Sequence, residues 1–172
     1  MIQVWRETQD TFHLVDQFRE RCSFGDLERA ARILIGRHRA SAVLIENAAQ
    51  GPALLSRLIQ TCRDVQFIPV EALESKSDRL QPHRAAIRAG RISLSPKLSN
   101  AFEYIDEMVN FPNGPNDQVD ATTQYLVFMA TKPILRRREP NNGVGLSLGS
   151  QPRAFSEAEL PNVSVGIAYR RR

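Results

Sequence analysis

Three acids stand where their side chains can act together. Glu46 directly follows the wholly apolar run Ala42-Val43-Leu44-Ile45, and Asp117 and Asp120 open an apolar helical pattern in FPNGPNDQVDATTQYLVFM. Carboxylates converging from a strand end and a helix start resemble the ligand set of two-metal phosphodiester hydrolysis, where the ions sit roughly 3.5–4 Å apart. The C-terminal edge of a parallel sheet, where Glu46 is placed by its position in the run, is where ligands bind in open α/β sheets. A plainer reading fits the same spacing. Asp at a helix N-cap bonds the free N–H groups of the first turn, Asp120 three residues on sits where a capping-box acid would, and a strand-end Glu often points into solvent. Because a helix N-terminus favours an ionised carboxylate in either case, spacing leaves the choice open.

Other residues able to do chemistry are scattered. His13, His38 and His83 do not cluster, and Cys22 and Cys62 lie 40 residues apart without a CxxC pattern, which predicts two reduced structural thiols rather than a zinc site or a disulfide framework. No GxxxxGK[ST] occurs, so the chain has no P-loop through which to hydrolyse ATP. Lys76, Arg79, Arg84, Arg88 and Arg91 form a basic series through one predicted helix and its exit, suited either to nucleic-acid phosphates or to a solvated face. A single Trp, Trp5, offers no stacking platform for single strands and reads as core or sheet surface.

The elements that must position these residues follow from hydrophobic periodicity. Ile2–Trp5 and Phe12–Val15 read as an antiparallel strand pair, and 25–38 as an amphipathic helix with Leu27, Ala30, Ala31, Leu34 and Ile35 on one face. The apolar run 42–45 predicts a strand covered by helices on both faces. Gly51-Pro52 opens a helix, 65–70 forms a strand, and 77–89 forms a helix that Pro82 can kink, stopped by Gly90 before a short strand at 91–94. Helices at 98–109 and 117–130 follow. The order predicts an α/β fold with a mixed sheet over residues 1–130. Residues 131–172 read as a basic, mostly irregular tail with one edge strand at 163–169. That tail holds eight Lys/Arg against three Glu, whereas the remainder holds 15 bases against 16 acids, so the formal charge of +4 belongs to the tail. A basic tail suits contact with phosphate or plain solvation. The chain contains no apolar run of the roughly 18 residues that a membrane helix needs, nor a secretory layout at its start, which predicts a cytoplasmic protein.

The segments VWRETQDTFHLVDQFRERCSFGDLERAARILIGRHRASAVLIENAAQGPALLSRL, KSDRLQPHRAAIRAGRISL and IDEMVNFPNGPNDQVDATTQYL resemble, in order and spacing, the C-terminal nuclease domain of the large terminase subunit of tailed bacteriophages and prophages. The resemblance spans about residues 2–130 and implies a ribonuclease-H-like fold that cuts concatemeric double-stranded DNA during genome packaging in the bacterial cytoplasm. It also implies a Mg²⁺ or Mn²⁺ two-metal site, and as partners a packaging ATPase domain, the terminase small subunit and the portal. Family metal-binding acids lie on the first strand, after the fourth strand, and at the start of the last helix. Carried over by motif, Glu46 is the second and Asp117 the third, with Asp120 an accessory ligand. Asn116 replaces an acid that the family usually places before Gln-Val-Asp. Ile2–Glu7 and Phe12–Phe18 match the second and third strands, which places the first strand and its Asp before Met1; Asp10, in the hairpin turn, and Asp16 are the substitutes at hand, Asp16 the weak metal-ligand candidate. Loss of that central strand would expose two sheet edges at about 1–3 kcal/mol per unpaired buried backbone group, so the chain must compensate. A non-catalytic DNA- or partner-binding module on the same scaffold is the alternative.

Overall fold

The computed structural model describes residues 1–8, 11–71, 75–131 and 163–167. Within them the apolar and β-branched runs form strands β1 (Ile2–Glu7), β2 (Phe12–Phe18), β3 (Ala42–Glu46), β4 (Gln66–Val70), β5 (Ile92–Leu94) and β6 (Val163–Ile167). The amphipathic segments form helices α1 (Phe24–His38), α2 (Gly51–Thr61), α3 (Lys76–Leu80), α4 (Arg84–Arg88), α5 (Ala101–Asn110) and α6 (Asp117–Thr131). Ser23 caps α1 by accepting the Asp26 N–H, and Pro52 sits in the first turn of α2, where its missing N–H costs nothing. The helix predicted over 77–89 is broken into α3 and α4 by a 3₁₀ turn at Gln81–His83, because Pro82 lacks a donor and its ring crowds the preceding turn.

The strands join in one sheet, ordered β4-β3-β6-β1-β2-β5. β1 runs antiparallel to β2 and β6; β3 runs parallel to β4 and β6, and β5 is parallel to β2. Alternation along the strands sends residues to two cores. Ile2, Val4, Val43, Ile45, Val165 and Ile167 pack under α1 and α2, while Trp5 and Leu14 pack under α5 and α6. Trp5 is fully buried, stacked on Tyr125 of α6 at 4.7 Å between ring centroids, which settles it as core. The expected mixed α/β architecture is therefore present, with helices on both faces of the sheet.

One expectation is corrected. The C-terminal segment is a strand, but a central one rather than an edge, inserted between β1 and β3. This is the place that the terminase resemblance reserves for the first strand. Its register explains the choice: Val165 lies between Val4 and Val43, and Ile167 lies between Ile2 and Ile45. Without β6, both β1 and β3 would present a row of unpaired backbone groups inside the fold. Residues 132–162, where the sequence predicts irregular chain, lie outside the described residues.

Candidate functional site

Glu46 is the last residue of β3 and is buried. Its side chain shares the face of Leu44, away from the α1/α2 core that takes Val43 and Ile45, so it lies on the side of the sheet covered by α5 and α6. The turn after it is tight. A Cβ on Gly51 would come within 1.8 Å of the Glu46 carbonyl oxygen, so the glycine of LIENAAQG is required by close packing of the α2 start against the strand end. Ala49, in the same turn, has φ 49, a left-handed conformation that costs a non-glycine residue roughly 1–2 kcal/mol.

The start of α6 lies at the same end of the sheet. Gln3 of β1 donates its side-chain amide to the Gln118 carbonyl at 3.4 Å and accepts from Thr122 Oγ1 at 3.2 Å, anchoring the helix along β1. Asp117 directly precedes Gln118, whose carbonyl takes the Gln3 amide, so it lies beside the start of β1. Ile2 and Ile45 both pair with Ile167, so β6 alone separates the Asp117 side from the Glu46 side, a lateral span of about 10 Å between backbones.

The first turn of α6 is not capped in the way its own acids suggest. Asn116 precedes the helix and its carbonyl accepts the Asp120 N–H at 3.0 Å, which leaves Asp117 inside the first turn. The N–H groups of Gln118 and Val119 donate instead to Glu107 Oε1, brought in from α5. Glu107 is 3% exposed; its other oxygen accepts from Gln118 Nε2 at 3.1 Å and from Arg19 Nη2 at 2.8 Å. Nothing in the local spacing marks Glu107 for this role, since its partners stand 11 and 12 residues away across a turn.

Asp120 meets two cations from α3. Lys76 Nζ lies 3.1 Å from Oδ2, and Arg79 Nη2 donates to Oδ1; Lys76 also donates to Asn116 Oδ1 at 2.8 Å. Arg79 is buried, with Nε and Nη1 finding no partner among the described residues. The basic series expected to face DNA therefore divides. Lys76 and Arg79 turn inward to Asp120, whereas Arg84, Arg88 and Arg91 are exposed. Arg91 sits toward the far end of β2, where its carbonyl accepts the Phe12 N–H at 2.7 Å, while Glu46 and Asp117 lie at the Phe18 end.

Asp16 is held elsewhere. It pairs with Val4, which faces the α1/α2 core, and its carboxylate accepts from His38 Nε2 at 2.8 Å and Arg37 Nη1 at 3.2 Å. That puts it on the opposite face of the sheet from α6, so it is not brought together with Asp117 and Asp120. Asp10 lies outside the described residues.

Residues 1–128 match the family model described as the Terminase RNaseH-like domain. The chain belongs to this family. Neither a curated protein nor a solved structure matches it. No helix among the described residues of this terminase domain is long and apolar enough to cross a membrane.

A divalent-metal site is what the terminase family implies, and the residues present do not fit one as they are arranged. Among the described residues no three His, Cys, Asp or Glu side chains come together to hold a metal ion. Val163–Ile167, the stretch that lies between β1 and β3, contains no acid. The Asp120 carboxylate is already neutralised by Lys76 and Arg79.

Proposed function

We propose that this terminase domain engages concatemeric double-stranded DNA during phage or prophage genome packaging, and holds the duplex without cutting it in the form seen here. The observation that carries this reading is the pairing of Asp120 with Lys76 and buried Arg79. Two fixed cations supply the charge that a metal would bring, and neither can activate a water molecule as a metal does. Exposed Arg84 and Arg88, four residues apart on α4, share a helix face and supply phosphate contacts; Arg91 extends the basic surface toward the far end of β2. The packaging ATPase, small subunit and portal are the partners that this reading assigns.

A second reading is favoured by the placement of Glu46 and Asp117 at one end of the sheet. It keeps the family activity, a Mg²⁺- or Mn²⁺-dependent endonuclease built on these two acids with Asp120 as accessory. One experiment separates the two. Purified protein is incubated with supercoiled plasmid in Mg²⁺, in Mn²⁺ and in EDTA, alongside Glu46→Ala, and DNA binding is measured across a salt series. The holding role predicts intact plasmid in all three conditions, with binding that weakens as salt rises and on Arg84→Ala/Arg88→Ala. Metal-dependent nicking that Glu46→Ala abolishes establishes the endonuclease and overturns the holding role. Salt-independent or absent DNA binding removes both.

A further inference from the structure

Five large apolar side chains stand half or more exposed among the described residues: Ile33, Ile59, Phe102, Ile105 and Val109. They are not scattered. Phe102, Ile105 and Val109 recur at helical spacing on the outer face of α5, with exposed Glu103 and Asp106 beside them. This face is an apolar ridge with acidic flanks, and Phe102 at 88% exposed is its most prominent point. Ile33 lies on α1 in the wall of a groove of about 1240 Å³ between the C-terminal ends of α1 and α2, whose apolar lining also includes Ile35, Ala40 and Val65; Ile59, exposed on α2, lies outside that lining. The groove is rimmed by Arg29, Arg32, Arg39 and Arg63 against a single acid, Asp64.

The two surfaces are complementary in both shape and charge. One is an acidic apolar ridge and the other a basic apolar groove, and they lie on opposite faces of the sheet because α5 belongs to the Trp5 core and α1 and α2 to the other. They cannot meet within one molecule. We propose that the α5 ridge of one copy seats in the α1/α2 groove of a second copy, giving a head-to-tail association. Such a contact is heterologous: one subunit keeps its groove free and the other its ridge, so the assembly either closes as a ring or extends. Nucleic acid is a poorer occupant of the groove, since phosphate gains nothing from exposed Ile33. A charge-matched protein face covers Phe102, Ile105 and Val109 of one copy and Ile33 of the other at once.

The test uses the full chain in solution. Light scattering on a sizing column and sedimentation velocity, from micromolar to hundred-micromolar protein at low and high salt, are expected to show a mass that grows with concentration and falls with salt. Val109→Asp on the ridge and Arg32→Glu at the groove change exposed residues, so circular dichroism should report an unaltered fold. Each is expected to weaken association by roughly tenfold or more, as losing an interface anchor does. Mixing the two variants is decisive. Each retains one intact surface, so the mixture should form a dimer and nothing larger. A wild-type monomer at every concentration overturns the proposal, as does a variant mixture that stays monomeric.

Discussion

The carboxylate of Glu107 receives three contacts at the head of α6, and two of them come from backbone N–H groups of the helix's first turn. An acid placed there meets the positive end of the helix as well as Arg19, so its burial is compensated on both sides. Glu107→Ala should therefore destabilise the protein by about 2–4 kcal/mol, since it leaves buried donors and the partly buried Arg19 guanidinium without this acceptor. Glu107→Gln, which keeps one acceptor oxygen, should recover part of that loss. Urea unfolding followed by circular dichroism measures both, and an alanine variant as stable as the parent would remove Glu107 from the role given to it. Asp120 presents the same logic with opposite consequence. Its pairing with Arg79 is buried, so it holds α3 onto α6 while withholding a carboxylate from any metal.

Among the elements, β6 carries the most weight for its length. Val165 and Ile167 are at most 2% exposed, and burying two such side chains contributes about 1.5–3 kcal/mol each. Both flanking strands also depend on it for hydrogen bonds. A chain ending at residue 162 would lose this contribution and open the sheet between β1 and β3, a large share of the roughly 5–15 kcal/mol typical of a domain. Such a truncation should unfold at much lower urea concentration or aggregate through its exposed edges, and a synthetic peptide spanning 161–172 added in trans should restore solubility and raise the midpoint. Equal stability of the truncated and full chains would show that β6 contributes nothing to the sheet.

At the scale of the whole molecule, the two cores fold as one sheet's two faces, and the tyrosines of the α5/α6 face report on their integrity. Burial pushes the Tyr104 hydroxyl up to about 12, and burial raises Tyr125 further still. A tyrosine pKa raised on folding contributes stability that is fully present below the unfolded value of about 10 and is lost as pH rises through the folded value. For Tyr104 the window runs from about pH 10 to about pH 12, and the loss is on the order of 3 kcal/mol. Ultraviolet titration should find that at most one of the three tyrosines ionises near pH 10, with the others ionising together as the fold opens. Gradual titration of all three in a folded protein would contradict the burial of Tyr104 and Tyr125.

Periodicity alone determined the strand pair, α1, β3, α2 and α6, because burying one face of each element forces a spacing that survives in the sequence. The terminase resemblance singled out LIENAAQG and NDQVDAT, whose residues are fixed locally: Gly51 by its approach to the Glu46 carbonyl, and Asp117 by its place in the first turn of α6. Tertiary structure decided the rest. β6 reads locally as any short apolar strand, and only the two unpaired edges of β1 and β3, more than a hundred residues earlier, make it central. Likewise Glu107 and the Lys76–Arg79 pair find their partners through space, 11 to 88 residues away along the chain. Local spacing records which face of an element is buried; it does not record which distant charge comes to rest against an acid, and for this terminase domain that charge governs what the acids can do.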